Sequence, residues 1–138
     1  MTPRSADPFV PRYSVAPTPH LVSCVLSAGA LVVAGSADQQ AAWLPGIVSG
    51  EAIVTPAWLE PENGFGPRGV QVRAVPDGDG YVISGTKLHV QYASAAAQLV
   101  VLARTGDGDD DVDLFLVPPD ASGVTLTQKM SISSDTQY

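Results

Sequence analysis

The hydrophobic period of the chain changes near Gly50, and no other feature of its sequence constrains the fold as strongly. Between Leu21 and Val32 the apolar residues recur at spacings of three and four, which is the period of a helix. After Gly50 the sequence has short runs that alternate apolar with polar residues and are rich in β-branched side chains, which is typical of strands. The sequence therefore predicts an α+β fold, with a helical segment in residues 1–50 and a β domain in residues 51–138.

Capping signals divide the helical segment into a Pro-rich arm and two helices. The first helix is predicted to begin at Thr18 or Pro19 and to end at Gly35, because Gly is common just after a helix C-terminus. Ser36 can cap the next helix, since a Gln three residues later completes a capping box. The Pro-Gly pair at 45–46 is predicted to stop that second helix early, because Pro removes a helical hydrogen bond.

Short strand patterns separated by turn signals fill the rest of the chain. The runs with a strand pattern are 52–59, 70–74, 81–83, 87–92, 98–104, 112–117 and 124–127. The Asp-Gly-Asp-Gly sequence at 77–80 is a strong hairpin signal, and Pro56 must lie in an edge strand or a bulge because it has no backbone N–H. Short strands at this spacing predict an antiparallel β-barrel or sandwich.

Charge and cysteine content exclude several classes of function. The chain has 14 acidic and 7 basic residues, a net charge of −7, so it lacks the clustered cations that bind nucleic acid or an anionic membrane. The longest apolar run, Leu21–Ala34, is too short to span a bilayer, and the Pro-rich residues before it do not resemble a signal peptide. The single Cys24 cannot form an internal disulfide, which favours a cytoplasmic location.

An acidic segment at 105–113 is the most visible candidate for a metal site, because oxygen-rich loops can hold calcium. Counted from Asp107, the sixth and twelfth positions of an EF-hand loop hold Val112 and Pro118 instead of Gly and Glu, so the pattern fails. We interpret the segment as the solvated tip of a hairpin. The two His residues lie far apart without further ligands, so no zinc site is predicted.

Four segments occur in an order that is typical of one enzyme family. Ala41–Glu51 resembles the helix and connection that lead into the middle domain of acyl-CoA dehydrogenases. Trp58–Gly64 resembles their flavin-side motif, and Gly78–Lys87 resembles the hairpin that follows it. Residues 129–136 are similar to the late loop of the same domain. By this resemblance the chain is identified as a member of the family over residues 21–138.

The resemblance implies an enzyme of three domains, of which this chain contains only a part. Members have a helical N-terminal domain, a middle β-barrel and a C-terminal helical bundle, and they dehydrogenate the Cα–Cβ bond of an acyl-CoA thioester. The hydride passes to FAD and the electrons then pass to an electron-transferring flavoprotein, usually in a homo- or hetero-oligomer. The sequence stops at Tyr138, before the last barrel strand and the bundle that carries the catalytic base are expected. We therefore assign no catalytic residue, exclude Glu51, Glu60 and Glu62 from that role, and expect the chain alone to be inactive.

The same resemblance implies the positions of a cofactor and substrate site. It assigns cofactor binding to Trp58, Leu59, His89, Val90 and Gln91, and substrate binding to Phe65. Leu59 stands where the family usually has Thr, Phe65 replaces a Ser, and Gln91 replaces the Thr whose hydroxyl reaches flavin N5. Two interpretations stay open. One is a divergent dehydrogenase for a bulky substrate such as a sterol side chain, and the other is a flavin-free subunit or assembly module of the same family.

Overall fold

The computed structural model describes residues 18–61, 66–130 and 136–138. In these residues two helices precede a β domain, which confirms the order expected from the change of hydrophobic period. Within this described part, no helix combines the length and the apolar composition that crossing a membrane requires. The predicted Pro-rich arm lies outside the described residues, apart from its last positions.

The first helix begins and ends where the capping signals predict. It has π-type hydrogen bonding over His20–Ser27 and continues as α1 over Ala28–Ala34. Gly35 follows in an extended conformation, with φ −75° and ψ 147°, rather than in the left-handed one that usually closes a helix. The predicted capping box is confirmed, because the Gln39 N–H donates to Ser36 Oγ at 3.2 Å and the Ser36 N–H donates to Gln39 Oε1 at 2.9 Å.

The second helix corrects one prediction. Helix α2 spans Ala37–Ser49 and runs through Pro45 instead of stopping there. The last turn is held by tertiary packing, because Ile47 is only 2% exposed and lies in a core cluster. The helix ends at Gly50, whose φ of 79° lies in the left-handed region that Gly adopts readily. Packing of the final turn therefore outweighs the local cost of the proline.

Five strands form the main sheet and two more form a short separate ladder. The strands are β1 Val54–Ala57, β2 Arg73–Asp77, β3 Gly80–Ser84, β4 Gln98–Arg104, β5 Val112–Val117, β6 Lys129–Met130 and β7 Thr136–Gln137. Strand β4 is central, because its residues pair with β1 on one edge and with β5 on the other. The hairpin of β2 and β3 turns at 77–80 as predicted. Pro56 lies in β1, which pairs only with β4 among the described strands, so the prediction of an edge position is confirmed.

The pairing of the sheet differs from the predicted antiparallel barrel. Strand β1 runs parallel to β4, and β2 meets β4 in parallel at Arg73 and Arg104. The sheet of the described residues is mixed and is not closed into a barrel. The cause is the long connection between β1 and β4, which returns the chain in the same direction, and such a return gives a parallel pair. The predicted order, a short helical segment followed by a β-rich domain, is nevertheless confirmed.

Two of the predicted strands are not strands. Residues 124–127 form none. In the predicted strand at 87–92 the structure has isolated bridge residues instead of a strand, at Leu88, which pairs with Leu59, and at Gln91. His89 and Tyr92 both have a φ of 57°, which takes the backbone out of the extended region. This left-handed pair explains why the apolar alternation at 87–92 does not form a ladder.

The core has two main clusters on opposite faces of β4. Leu99 and Val101 belong to the cluster that also contains Ala57 and Val90. Val100 belongs to the cluster that receives the helices. Successive strand residues point to opposite faces of the sheet. Because Leu99, Val100 and Val101 are all buried, both faces of β4 are covered, which explains why its sequence is a continuous apolar run. Strand β4 is therefore the central element of the core, and β1, which leads to Trp58 and Leu59, pairs with it.

Candidate functional site

The end of β1 and the segment after β3 meet at the predicted cofactor residues. Leu59 and Leu88 form an isolated antiparallel bridge, in which the Leu88 N–H donates to the Leu59 carbonyl oxygen at 2.8 Å. This bridge brings Trp58 and Leu59 next to residues 89–91. Two segments that are about thirty residues apart in sequence thus form one surface, because this long-range contact brings them together.

The five predicted cofactor residues differ in their accessibility. The side chains of Leu59 and His89 are exposed, with Leu59 at 51%, whereas Trp58 and Gln91 are half-buried. Val90 is 5% exposed and packs in the core, and its backbone N–H and carbonyl both pair with Tyr138, at 2.9 and 3.1 Å. A ligand on this surface would therefore meet Leu59 and His89 first. Phe65, the predicted substrate residue, lies outside the described residues.

The bend at 89–92 is anchored on β1 by a buried hydroxyl. The Thr55 Oγ1 donates to the Gln91 carbonyl oxygen at 2.7 Å, and Thr55 is fully buried. His89 and Tyr92 flank this anchor, and each adopts the left-handed conformation that is uncommon for residues other than Gly. Backbone conformations of this kind persist only where the surrounding contacts fix them. The Thr55 contact supplies part of that fixation.

A buried ion pair lies beside the Leu59–Leu88 bridge. Lys87 Nζ donates to Glu60 Oε1 at 2.6 Å, and the two side chains are only 9% and 4% exposed. Glu60 Oε2 also accepts the backbone N–H groups of Gln71 at 2.8 Å and Val72 at 3.1 Å. The carboxylate is thus engaged by one cation and two amides, which is the degree of pairing that a buried charge needs. Its oxygens are occupied, so Glu60 is not placed to abstract a substrate proton.

Burial and the ion pair act in opposite directions on Lys87. Burial lowers the pKa of Lys87 below its ordinary value of 10.5, while the hydrogen bond and the charge of Glu60 raise it. The net direction is downward, because removing an ammonium group from water disfavours its charged form. The ion pair therefore compensates the burial of this cation only in part.

Close backbone approach keeps the Lys87 segment against Val72. Gly85 has a φ of 146°, and a Cβ atom at this position would lie 2.6 Å from Val72 Cγ2. Any side chain here would both clash and require a backbone conformation that L-residues rarely adopt. Glycine therefore allows the chain after β3 to pass close enough for Lys87 to reach Glu60.

The acidic segment between β4 and β5 is mostly exposed, and two of its acids, Asp107 and Asp109, pair with arginines. Arg68 donates through Nε and Nη2 to Asp109 Oδ2, at 2.9 and 2.6 Å. Arg73 Nη1 donates to Asp107 Oδ1 at 3.0 Å. Within the described residues no group of three or more His, Cys, Asp or Glu side chains could hold a metal ion. The segment thus forms surface ion pairs, which contribute little to stability because solvent screens them.

A cavity of about 880 Å³ adjoins the ion pair. Its walls are formed by apolar side chains of β1, β4 and β5, by β3 and by residues 121–127, and Lys87 and Leu88 reach one wall. Trp58 contributes a further feature nearby, because its buried indole Nε1 has no acceptor among the described residues. A buried donor without a partner is uncommon in proteins.

Residues 56–136 match the family described as acyl-CoA dehydrogenase, middle domain. The chain belongs to the acyl-CoA dehydrogenase family. Acyl-CoA dehydrogenase FadE27 of Mycobacterium tuberculosis is 39% identical over 115 residues, which cover 83% of this chain and 29% of FadE27. The chain therefore spans less than a third of the length of this relative. The resemblance of the flavin-side motif and its hairpin is confirmed at the level of the family.

Solved structures of the family have the same fold. In the ChsE4-ChsE5 complex from Mycobacterium tuberculosis, the matching chain is 37% identical with a TM-score of 0.72, and the match covers 86% of this chain and 30% of that one. The glutaryl-CoA dehydrogenase of Mycobacterium smegmatis in complex with FADH2 is 32% identical with a TM-score of 0.68. That match covers 80% of this chain and 29% of the dehydrogenase chain.

The residues present at the bridge fit a flavin in the chemistry of their donors and surfaces. Flavin rings are flat, largely apolar and edged with carbonyl and nitrogen acceptors. The exposed side chains of Leu59 and His89 offer a surface for such a ring, and the indole N–H of Trp58 is a donor that lacks an acceptor among the residues described. Trp58, Leu59 and His89 are thus the residues that would hold the ring, with Gln91 as a further amide donor.

Sequence reasoning missed the Glu60–Lys87 ion pair that lies beside this surface. The signal was a lysine at 87 at the end of a hairpin motif and a glutamate at 60 just after a strand. Neither pattern reveals that the two residues face each other, because their contact depends on the antiparallel bridge between 59 and 88. The anchoring role of Thr55 also depends on a contact across 36 residues of sequence.

Proposed function

We propose that residues 51–138 are the middle domain of a flavin-dependent acyl-CoA dehydrogenase, and that residues 1–50 are the end of its helical N-terminal domain. The proposed reaction is the α,β-dehydrogenation of an acyl-CoA thioester. The observation that carries the proposal is the bridged surface of Leu59 and Leu88 inside a segment that matches the family. Bound FAD accepts the hydride in this chemistry.

The residues of this chain contribute positioning and water exclusion. Leu59 and His89 would hold the flavin ring, with the Trp58 indole and the Gln91 amide as hydrogen-bond donors to it. The burial of Val90 in the core fixes the segment of residues 88–91. Phe65 is proposed to line the substrate, an acyl-CoA thioester whose carbonyl the enzyme polarises to make its α-proton acidic. The electrons are proposed to pass on to an electron-transferring flavoprotein.

The chain alone is proposed to lack turnover. The one buried carboxylate among the described residues, Glu60, is engaged by Lys87 and two backbone amides, so it does not serve as the base. Glu51 is exposed beyond helix α2. Acyl-CoA and a dye acceptor added to the chain with FAD should therefore give no rate above the blank. Clear turnover would refute this part of the proposal.

Flavin binding by the chain tests the proposal more directly than activity. Leu59 stands where the family usually has Thr, and one lost hydrogen bond costs about 1 kcal/mol, or about fivefold in affinity. We therefore expect weak saturable binding of FAD to the wild type and tighter binding to Leu59→Thr. A matched control is Val82→Thr, because Val82 is 51% exposed on β3. Equal FAD affinities for both threonine variants would contradict the proposed contact.

A flavin-free subunit or assembly module is the second candidate. The observation that favours it is the exposed apolar surface of the helices, where Leu21, Val25 and Val32 are 50–60% exposed and Val33 is 87% exposed. Apolar patches of this kind often mark association surfaces. We propose a homo- or hetero-oligomer, as the ChsE4-ChsE5 relative forms a complex. Light scattering should show an oligomer; a monomer that binds FAD would exclude this candidate.

A cytoplasmic location stays a prediction from the single Cys.

A further inference from the structure

The two segments of the candidate cofactor surface are joined by the Leu59–Leu88 bridge, by the Glu60–Lys87 ion pair and by the Thr55–Gln91 hydrogen bond. The Leu59–Leu88 bridge contributes one backbone hydrogen bond, from the Leu88 N–H to the Leu59 oxygen at 2.8 Å. Continued by one residue, the antiparallel register of this bridge places Glu60 opposite Lys87, and their side chains meet at 2.6 Å. A single bridge is too short a ladder to fix its own geometry. The ion pair is therefore the side-chain contact that supports this bridge most directly.

Lys87 connects both a carboxylate and a backbone carbonyl oxygen to its own segment. Its ammonium also approaches the carbonyl oxygen of Trp58 at 3.5 Å. Through Glu60 it is linked to the N–H groups of Gln71 and Val72. The lysine thus ties the end of β1, residues 71–72 and the chain after β3 to one buried point. Charge-assisted contacts in a buried site are stronger and more directional than neutral ones.

We propose that Lys87 is a positioning residue of the candidate cofactor surface, which sets the distance between the Trp58–Leu59 segment and residues 88–91 by way of Glu60. This inference rests on the proposed function, because it concerns the same surface. It goes beyond that function in assigning the geometry of the surface to a side chain that is 9% exposed and does not face the ligand itself. Removal of the lysine should loosen the bridge before it disturbs the β4–β5 ladder.

The test compares Lys87→Met with two control variants of the full chain. Val101→Ala is the stability control, because Val101 is a core residue on β4 at 7% exposure and is not a member of the ion pair. Lys129→Met is the charge control, because Lys129 is an exposed lysine on β6. Amide hydrogen exchange is measured at Leu88 and, as internal reference, along β4 and β5. FAD affinity of the same variants is measured by flavin fluorescence.

We expect Lys87→Met to lower the protection of the Leu88 amide by at least about tenfold more than that of the β4–β5 amides. Val101→Ala should lower both to similar degrees, and Lys129→Met should change neither. FAD affinity should fall by about tenfold or more in Lys87→Met, and by less than about twofold in the controls. Equal loss at Leu88 in Lys87→Met and Val101→Ala would overturn the inference, and so would unchanged FAD affinity in Lys87→Met.

The two arms separate this inference from the proposed function. If the wild type binds no FAD, the proposed function fails, and hydrogen exchange alone decides the role of Lys87. Selective loss of Leu88 protection would then still support it, and uniform loss would overturn it. Where Lys87→Met does not fold, Lys87→Arg serves instead, because its larger guanidinium keeps the charge but changes the distance to Glu60. Selective loss of Leu88 protection in that variant supports the positioning role, whereas unchanged protection or a uniform loss overturns it.

Discussion

Truncation of Glu60 to alanine should remove a large part of the stability of the domain. The substitution leaves the Lys87 ammonium buried without a counter-charge and leaves the N–H groups of Gln71 and Val72 without their acceptor. Breaking a buried pair by removing one partner costs about 3–5 kcal/mol. Each orphaned amide would cost about 1–3 kcal/mol by itself. These terms are not additive within one network.

We therefore expect Glu60→Ala to lose about 4 kcal/mol of unfolding free energy, and Glu60→Gln to lose about 2 kcal/mol because its amide oxygen still accepts the two N–H groups. Solvent screening does not reduce these values greatly, since the two side chains are 9% and 4% exposed. A total stability of about 5–15 kcal/mol is typical of a domain, so the alanine variant should lie near the limit of folding.

Urea denaturation followed by far-UV circular dichroism measures this loss. The matched control is Asp107→Ala, which breaks an ion pair with Arg73 at 3.0 Å whose side chains are 89% and 57% exposed. It should cost less than about 0.5 kcal/mol, because an exposed pair contributes little. A loss below about 1 kcal/mol for Glu60→Ala, or a loss equal to that of Asp107→Ala, would refute the reasoning from burial.

Three further predictions concern the same surface. Gly85→Ala should cost about 2–4 kcal/mol by thermal unfolding, because its Cβ would lie 2.6 Å from Val72 Cγ2 at a φ of 146°; a neutral result would contradict the close approach. Thr55→Val should cost about 1–2 kcal/mol in urea, since the Gln91 carbonyl loses its donor; no change would show that this anchor is dispensable. Burial lowers the pKa of Lys87 below 10.5, so the folded chain binds fewer protons than the unfolded chain as the pH rises toward 10.5. Stability relative to Lys87→Met should therefore increase with pH in that range, and a flat or falling difference would oppose it.

Local signals in the sequence predict the helices well, because the determinants lie close together. The Ser36–Gln39 capping box is encoded within four residues and forms as predicted. The stop at Pro45 is wrong because the burial of Ile47 is a tertiary contact with the sheet, which no local pattern contains. The hairpin at 77–80 has the same local character as the capping box and is likewise correct.

Long-range pairing accounts for the errors in the β domain. The parallel pairing of β1 with β4 depends on how the forty residues between them fold back, so alternation alone predicts strands but not their partners. The prediction of a strand at 87–92 is wrong because His89 and Tyr92 adopt left-handed conformations, which their residue types alone do not predict. The resemblance to a family predicts the candidate cofactor surface, whereas the Glu60–Lys87 pair depends on a tertiary contact that the resemblance does not contain.

The central claim is that the bridged surface of Leu59 and Leu88 is the flavin side of an acyl-CoA dehydrogenase middle domain. The most direct measurement is a titration of the isotopically labelled chain with FAD, followed by the amide chemical shifts. The account predicts saturable shifts that concentrate at Trp58, Leu59, Leu88 and His89, with little change in the acidic segment at 105–113. Saturable shifts centred elsewhere, or no shifts at saturating FAD in either the wild type or Leu59→Thr, would contradict it.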